Sequence, residues 1–217
     1  MTALDDLRFM DAALAIARSG LGKTAPNPSV GCVLAAGGQI VGTGRTADGG
    51  RPHAETEAIK MAGDAALGAT AYVTLEPCAH VGQTPPCALA LITARVSRIV
   101  VACLDPDKRV SGRGIAMLQD AGIEVLIGVR QTEAETVNRG FFLTRSHHRP
   151  YLGADINPVG YDVLLEDSAP GDLAAYLKNL VAEGITRAQI MPHSPLASAL
   201  RAENLLDFDQ QISTTAR

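Results

Sequence analysis

Three short pieces of this chain have to be brought to one point: His53-Ala54-Glu55, Pro77-Cys78 and Pro86-Cys87, all within 35 residues. One imidazole, two thiols and one carboxylate are the components of a catalytic zinc centre, and the ligand count separates it from a structural one. A structural zinc closes its shell with four Cys or His ligands, whereas a catalytic zinc keeps three protein ligands and leaves the fourth position to water. His53, Cys78 and Cys87 supply three. Glu55 is then available to handle protons beside the metal. Singly, a His-Ala-Glu marks a solvated helix and a cysteine a small buried hydrophobe. The order, with a proline before each cysteine, is what points to a site.

That requirement constrains local structure. Residues two apart inside a helix diverge by about 200°, so His53 and Glu55 face one metal only where the chain enters a helix, and Pro52 places them there. Cys78 follows a strand ending at Glu76, and Cys87 falls just inside a helix for which Pro86 suits the first position. Exposed N–H groups and the positive dipole ends of both helices favour thiolates. Two thiolates already balance the charge of the metal, so a carboxylate is needed to take a proton from water, and Glu55 is the candidate.

Along the chain, Leu7, Met10, Leu14, Ala17 and Leu21 recur at helical spacing, with Gly20 and Gly22 as stop signals. Pro26-Asn27-Pro28 is a rigid turn. Residues 30–36 and 39–46, joined by Gly37-Gly38, read as a β-hairpin. A helix from about 53 to 63, a strand at 71–75, a helix from Pro86 and a strand at 98–104 follow, then a helix at 114–121, a strand at 124–127 and a helix at 132–145. This order gives a single sheet with helices on its faces, an α/β fold. Beyond it, 161–165 is strand-like and 172–182 and 196–202 read as helices. The expected division is a body at 1–148 and a short α/β appendage at 149–217.

Charge narrows the partners. Through Arg145 the chain has 14 acidic and 14 basic residues, and the remainder has 9 acidic and 5 basic. A neutral body with an acidic tail is poorly suited to a phosphate backbone, and the absence of Trp argues against a base-stacking platform. A small-molecule substrate is favoured over nucleic acid. The acidic N-terminal segment lacks the basic and apolar regions of a signal peptide, and the longest uncharged stretch, 24–44, is broken by prolines and glycines, so no membrane span is expected. A cytoplasmic protein fits, with Cys32 and Cys103 as core residues and no disulfide framework.

A His-x-Glu followed by Pro-Cys is the pattern of zinc-dependent nucleobase deaminases. The eight residues between Cys78 and Cys87 narrow it further. Pro26-Asn27-Pro28-Ser29-Val30-Gly31, Pro52-His53-Ala54-Glu55 and the run from Thr74 through Glu76-Pro77-Cys78-Ala79-His80 to Thr84-Pro85-Pro86-Cys87 resemble the deaminase domain of the bifunctional riboflavin-biosynthesis enzyme. Asp105-Pro106, Gly112-Arg113-Gly114, Asn138 and Phe142 continue the likeness. The resemblance implies a three-layer α-β-α sandwich of the cytidine-deaminase type with a mixed sheet, one Zn2+ per chain, and a homodimer. It implies that the 2-amino group of a diaminopyrimidinone ribosyl phosphate is replaced by oxygen, with ammonia released and Glu55 moving the protons. It further implies that Asn27 and His80 line the substrate pocket, with Gln83, Asp105, Asp107 and Lys108 also against substrate.

Members of that family typically carry Lys or Arg at Gln83, Asn at Asp107 and often His at Thr46. A cation lost and an anion gained both weaken a grip on phosphate, and Lys108 and Arg109 are placed to restore positive charge. Two alternatives stay open: a zinc deaminase acting on guanine, cytosine or a nucleoside, and a catalytically silent, zinc-stabilised assembly partner. In bifunctional relatives a reductase domain follows the Arg-Pro at Arg149-Pro150. Here residues 151–217 carry no glycine-rich phosphate loop, so they are expected to be a reduced, non-catalytic remnant that binds no NADPH. His147, His148 and His193 read as solvated.

Overall fold

The computed structural model describes residues 2–80, 85–106 and 111–210. Helix α1 (Ala3–Arg18) opens the chain with a capping box in which Thr2 and Asp5 satisfy each other's backbone N–H groups. Strands β1 (Gly31–Ala36) and β2 (Gln39–Arg45) form the hairpin, followed by α2 (Ala54–Ala62), β3 (Thr70–Val73), α3 (Cys87–Thr93), β4 (Arg98–Val101), α4 (Arg113–Asp120), β5 (Glu124–Ile127) and α5 (Gln131–Ser146). The sheet runs β2-β1-β3-β4-β5. It is mixed: β1 is antiparallel to both β2 and β3, with Cys32 opposite Val73, while β3, β4 and β5 are parallel, with Ala71 opposite Ile99 and Ile99 opposite Val125.

Helices cover both faces, which is why the inner strands read as nearly continuous apolar runs. The backbone of α1 packs on Gly31, and that of α2 packs on Gly44, whose pairing with Cys32 puts it on the opposite face from Gly31. With α5 beside α1 on one face, and α3 beside α2 and α4 beside α3 on the other, the body has three layers. Leu14, Leu34, Tyr72, Leu91, Ile99 and Leu118 are its large fully buried side chains.

The first helix departs from the expected stripe. Leu7 is exposed, Phe9 takes a place in the core, and the helix stops three residues before Leu21. Asp6 is buried at 5% exposure. Its carboxylate accepts from the Tyr72 hydroxyl at 2.9 Å and from the Arg98 guanidinium at 2.7 and 3.0 Å, tying α1 to β3 and β4. A charge paired inside the core is invisible to an apolar-periodicity reading, because its partners lie 66 and 92 residues away.

After Pro150 the chain builds a second sheet, where the sequence indicated only one strand and two helices. Strands β6 (Tyr151–Ala154), β7 (Val163–Leu164), β8 (Arg187–Ile190) and β9 (Phe208–Asp209) lie in the order β7-β8-β6-β9, all parallel, with α6 (Leu173–Ala182) and α7 (Pro195–Ala202) as connections. The missed strands are two to four residues long and mix Gly, Ala, Arg and Gln with one or two large apolar residues, which leaves too little pattern to read. Leu152, Ile190, Leu177, Leu196 and Leu200 form a separate core. Asp207, its side chain 2% exposed, joins the two parts by pairing with Arg149 at 2.6 Å and with Arg139 of α5 at 3.1 Å. Among the described residues no helix is long and apolar enough to cross a membrane.

Candidate active site

The parallel strands β3 and β4 both deliver their C-terminal ends to one edge, the position where ligand crevices form in such sheets. Beyond β3 come Glu76 and Cys78, and beyond β4 comes Asp105. The N-termini of α2 and α3 face the same place. His53 is the extended N-cap of α2, with φ −75° and ψ 159°, and Glu55 sits in the first turn. Pro86 is the N-cap of α3 and Cys87 its first helical residue, one position later than the sequence indicated.

These entries bring the donors together. The His53 Nδ1 atom lies 3.3 Å from Cys87 Sγ and 3.7 Å from Cys78 Sγ, and the three donor atoms all lie within 4.8 Å of one another. Tetrahedral zinc with ordinary bond lengths separates a sulfur from a nitrogen ligand by roughly 3.5 Å and two sulfurs by roughly 3.8 Å. The two nitrogen–sulfur distances bracket that value, so the set is suited to zinc, and its three donors leave a coordination position over. The Cys87 backbone N–H donates to Cys78 Sγ at 3.3 Å.

The electrostatics follow from that packing. Hydrogen bonding from Cys87, aided by His53, holds the Cys78 thiol down at about 4 despite burial. The same contact, with burial and the neighbouring carboxylate of Glu55, pushes the Cys87 thiol far upward. Hydrogen bonding to Cys78 raises His53. Glu55 is 3% exposed, and burial pushes its carboxyl up to about 7.

A cavity of about 230 Å³ opens onto His53, Cys78 and Glu55. Asn27, His80 and Asp105 line it as well, so three of the residues placed against substrate by resemblance share the cavity with the metal donors. Gln83, Asp107 and Lys108 lie outside the described residues. Asn27 is held by its Nδ2 donating to the Gly50 carbonyl at 3.1 Å. Cys32 and Cys103 are in the core, and His147, His148 and His193 are exposed.

Four further residues of the wall went unremarked as site residues in the sequence. Thr46 lines the cavity, and its hydroxyl accepts from the Val30 N–H at 3.0 Å. Arg51 precedes Pro52, and Arg145 reaches the cavity from the end of α5, its guanidinium 5.1 Å from the centre of the Phe141 ring. Glu76 accepts from the backbone N–H groups of Gly112 and Gly114, each at 3.0 Å, and of Asp105 at 3.4 Å. Its place in the run before Cys78 was the available signal. Nothing local marks Arg145, which comes 58 residues after Cys87.

The comparisons with known proteins agree with this geometry. Residues 4–103 match the model of the cytidine and deoxycytidylate deaminase zinc-binding region. The chain is 50% identical over 147 residues to riboflavin biosynthesis protein RibD of Haemophilus influenzae, covering 68% of this chain and 40% of that protein. It is 45% identical over 139 residues to a diaminohydroxyphosphoribosylamino-pyrimidine deaminase of Buchnera aphidicola, covering 64% of this chain and 95% of that one. The structure of Acinetobacter baumannii RibD superposes with a TM-score of 0.82 at 29% identity, covering 94% of this chain and 85% of the other. The chain thus spans about 40% of the length of the RibD relatives. By its metal donors, its fold and these likenesses, the chain belongs to the riboflavin-biosynthesis branch of the zinc-binding cytidine and deoxycytidylate deaminases.

Proposed function

We propose that the protein is a hydrolytic deaminase that converts 2,5-diamino-6-ribosylamino-4(3H)-pyrimidinone 5′-phosphate to the 5-aminouracil derivative and ammonia. The observation that carries the reading is a buried carboxylate, Glu55, standing at the mouth of a three-donor zinc set in a cavity of small-molecule size. His53, Cys78 and Cys87 would hold a zinc ion, which would act as a Lewis acid and make water acidic enough to deprotonate near neutral pH. Glu55 takes that proton on a carboxylate oxygen and delivers it to a ring nitrogen, then takes the proton of the newly attached hydroxyl and passes it to the amine, which leaves as ammonia while the ring carbon becomes a carbonyl. Burial favours this role, because a carboxyl raised to about 7 gives up and takes protons with equal ease near neutrality.

The wall supplies recognition. Asn27 and His80 offer hydrogen bonds to the ring, and Arg51 and Arg145 bring positive charge to the same cavity for an anionic substituent. Residues 149–217 are assigned to a reductase-like unit with no chemistry of its own. The extent of the superposition on RibD supports the reductase-like part of that reading: 94% of this chain is aligned, so most of the second sheet is included.

The test is ammonia release from the diaminopyrimidinone phosphate, from its dephosphorylated form and from cytidine. Glu55→Gln should keep its zinc and lose about 10²- to 10⁴-fold in rate, the usual worth of a positioned proton carrier. Equal rates in the two proteins would remove the mechanism, and release from cytidine alone would make the protein a nucleoside deaminase.

A further inference from the structure

The second sheet has a role that its lack of a phosphate loop does not reveal. Its β8 end is fastened to the preceding loop by one carboxylate. Asp162 accepts from Thr186 N at 2.7 Å, Thr186 Oγ1 at 2.8 Å and Arg187 N at 2.8 Å. Arg187 closes the loop from the other side, its Nε donating to the Gly160 carbonyl at 2.7 Å while the guanidinium lies 4.1 Å from the centre of the Tyr151 ring. Residues 160–162 are thereby a rigid projection of the sheet.

That projection meets the segment that carries Asn27. The backbone of Tyr161 lies against Gly22, at φ +77°, with no room there for a side chain. Gly184, in the turn before β8, lies so close to Pro26 that a Cβ built on it would stand 3.3 Å from the Pro26 Cβ. Asn27, Pro28 and Phe141 line a small cleft together with Asp162, Thr186 and Arg187. The first three residues also line the active cavity. They form a partition with the cavity on one side and the second sheet on the other. The turn is held on its remaining side by Asn27 Nδ2 on the Gly50 carbonyl and by Gly49 N on the Lys23 carbonyl at 2.8 Å.

We infer that the second sheet is a buttress for the Pro26-Asn27-Pro28 turn, with Asp162 and Thr186 as positioning residues that act on substrate through Asn27. The inference rests on the proposed contact between Asn27 and the pyrimidine. It gives the appendage a function in deamination without chemistry of its own.

The experiment is a double-mutant cycle on the full chain, reading ammonia release from the diaminopyrimidinone phosphate. Asp162→Ala should raise KM on the order of five- to tenfold with zinc content and kcat little changed, and Asp162→Asn, which keeps an acceptor oxygen, should recover part of the loss. In an Asn27→Ala background the same substitution should alter KM by less than about twofold, because the residue it positions is gone. Additive effects, or an unaltered KM in Asp162→Ala, overturn the buttress. If Asp162→Ala loses zinc or cooperative melting, Thr186→Val, which deletes only the hydroxyl donor, completes the same cycle. No ammonia release by the unsubstituted protein would instead defeat the deaminase reading, and a normal KM in Asn27→Ala would defeat the substrate contact and the buttress with it.

Discussion

Arg145 brings a charge to the cavity wall from outside every motif. It reaches the cavity from the last turn of α5, its guanidinium over the Phe141 ring, and so adds positive charge to the wall. Arg145→Ala is expected to raise KM for the phosphorylated pyrimidine about tenfold, in line with the loss of one charge-assisted contact. KM for the dephosphorylated molecule should stay constant. Equal changes in both would assign Arg145 to packing on Phe141 alone. The donors themselves were legible: His53, Cys78 and Cys87 sit in a short stretch where proline spacing announces helix entries, and the structure does bring them together. Arg145 was not, because nothing in a local pattern says which cation will line a cavity built by distant parts of the chain, and Arg51, two residues before His53, was passed over because it is no metal donor. Glu76 stood in plain view before Cys78, yet its acceptance of three backbone N–H groups depends on a loop 29 to 38 residues away.

Among the elements, α1 depends most on a feature that periodicity hides. Its Asp6 joins Arg98 and Tyr72 inside the body, and the hydrogen bonds from Arg98 hold the Asp6 carboxyl below its ordinary range. A carboxyl depressed in the folded state stabilises at every pH above its unfolded value of about 3.9, and that stabilisation disappears as pH falls through the folded value. Asp6→Asn should therefore cost about 3 kcal/mol at neutral pH, the scale for breaking a buried pair, although Glu124 still accepts from Arg98 at 2.8 Å. Chemical denaturation at neutral pH and again near pH 2 checks both points. The gap between wild type and variant should narrow at acid pH, and a constant gap would mean that Asp6 acts by shape and not by charge. The strands of the body were legible for the opposite reason: β1, β3 and β4 are buried on both faces and nearly all apolar. The second sheet offered no such runs, since β6 spends two of its four positions and β8 three of its four on Gly, Ala, Arg or Gln.

At the scale of the whole molecule, two sheets meet along α5, which carries Arg139 to Asp207 and sets Gly140 against Thr186. Sequence reading saw the elements up to Ser146 in near-complete order, but it left the residues after Pro150 as fragments. Because residues 151–217 hold no glycine-rich phosphate loop, a titration of the purified protein with NADPH should find no stoichiometric binding, whatever the state of the zinc site. One equivalent bound per chain would return a redox function to the second sheet. The wall of the cavity is drawn from both ends of the body, Asn27 near its start and Arg145 near its finish, whereas the three metal donors all come from the 35 residues between His53 and Cys87. Synthesis on the ribosome runs from the first to the last of these. The candidate zinc donors therefore leave the exit tunnel before Arg145, so every group of the donor set is outside the ribosome before the far wall of the pocket has been made.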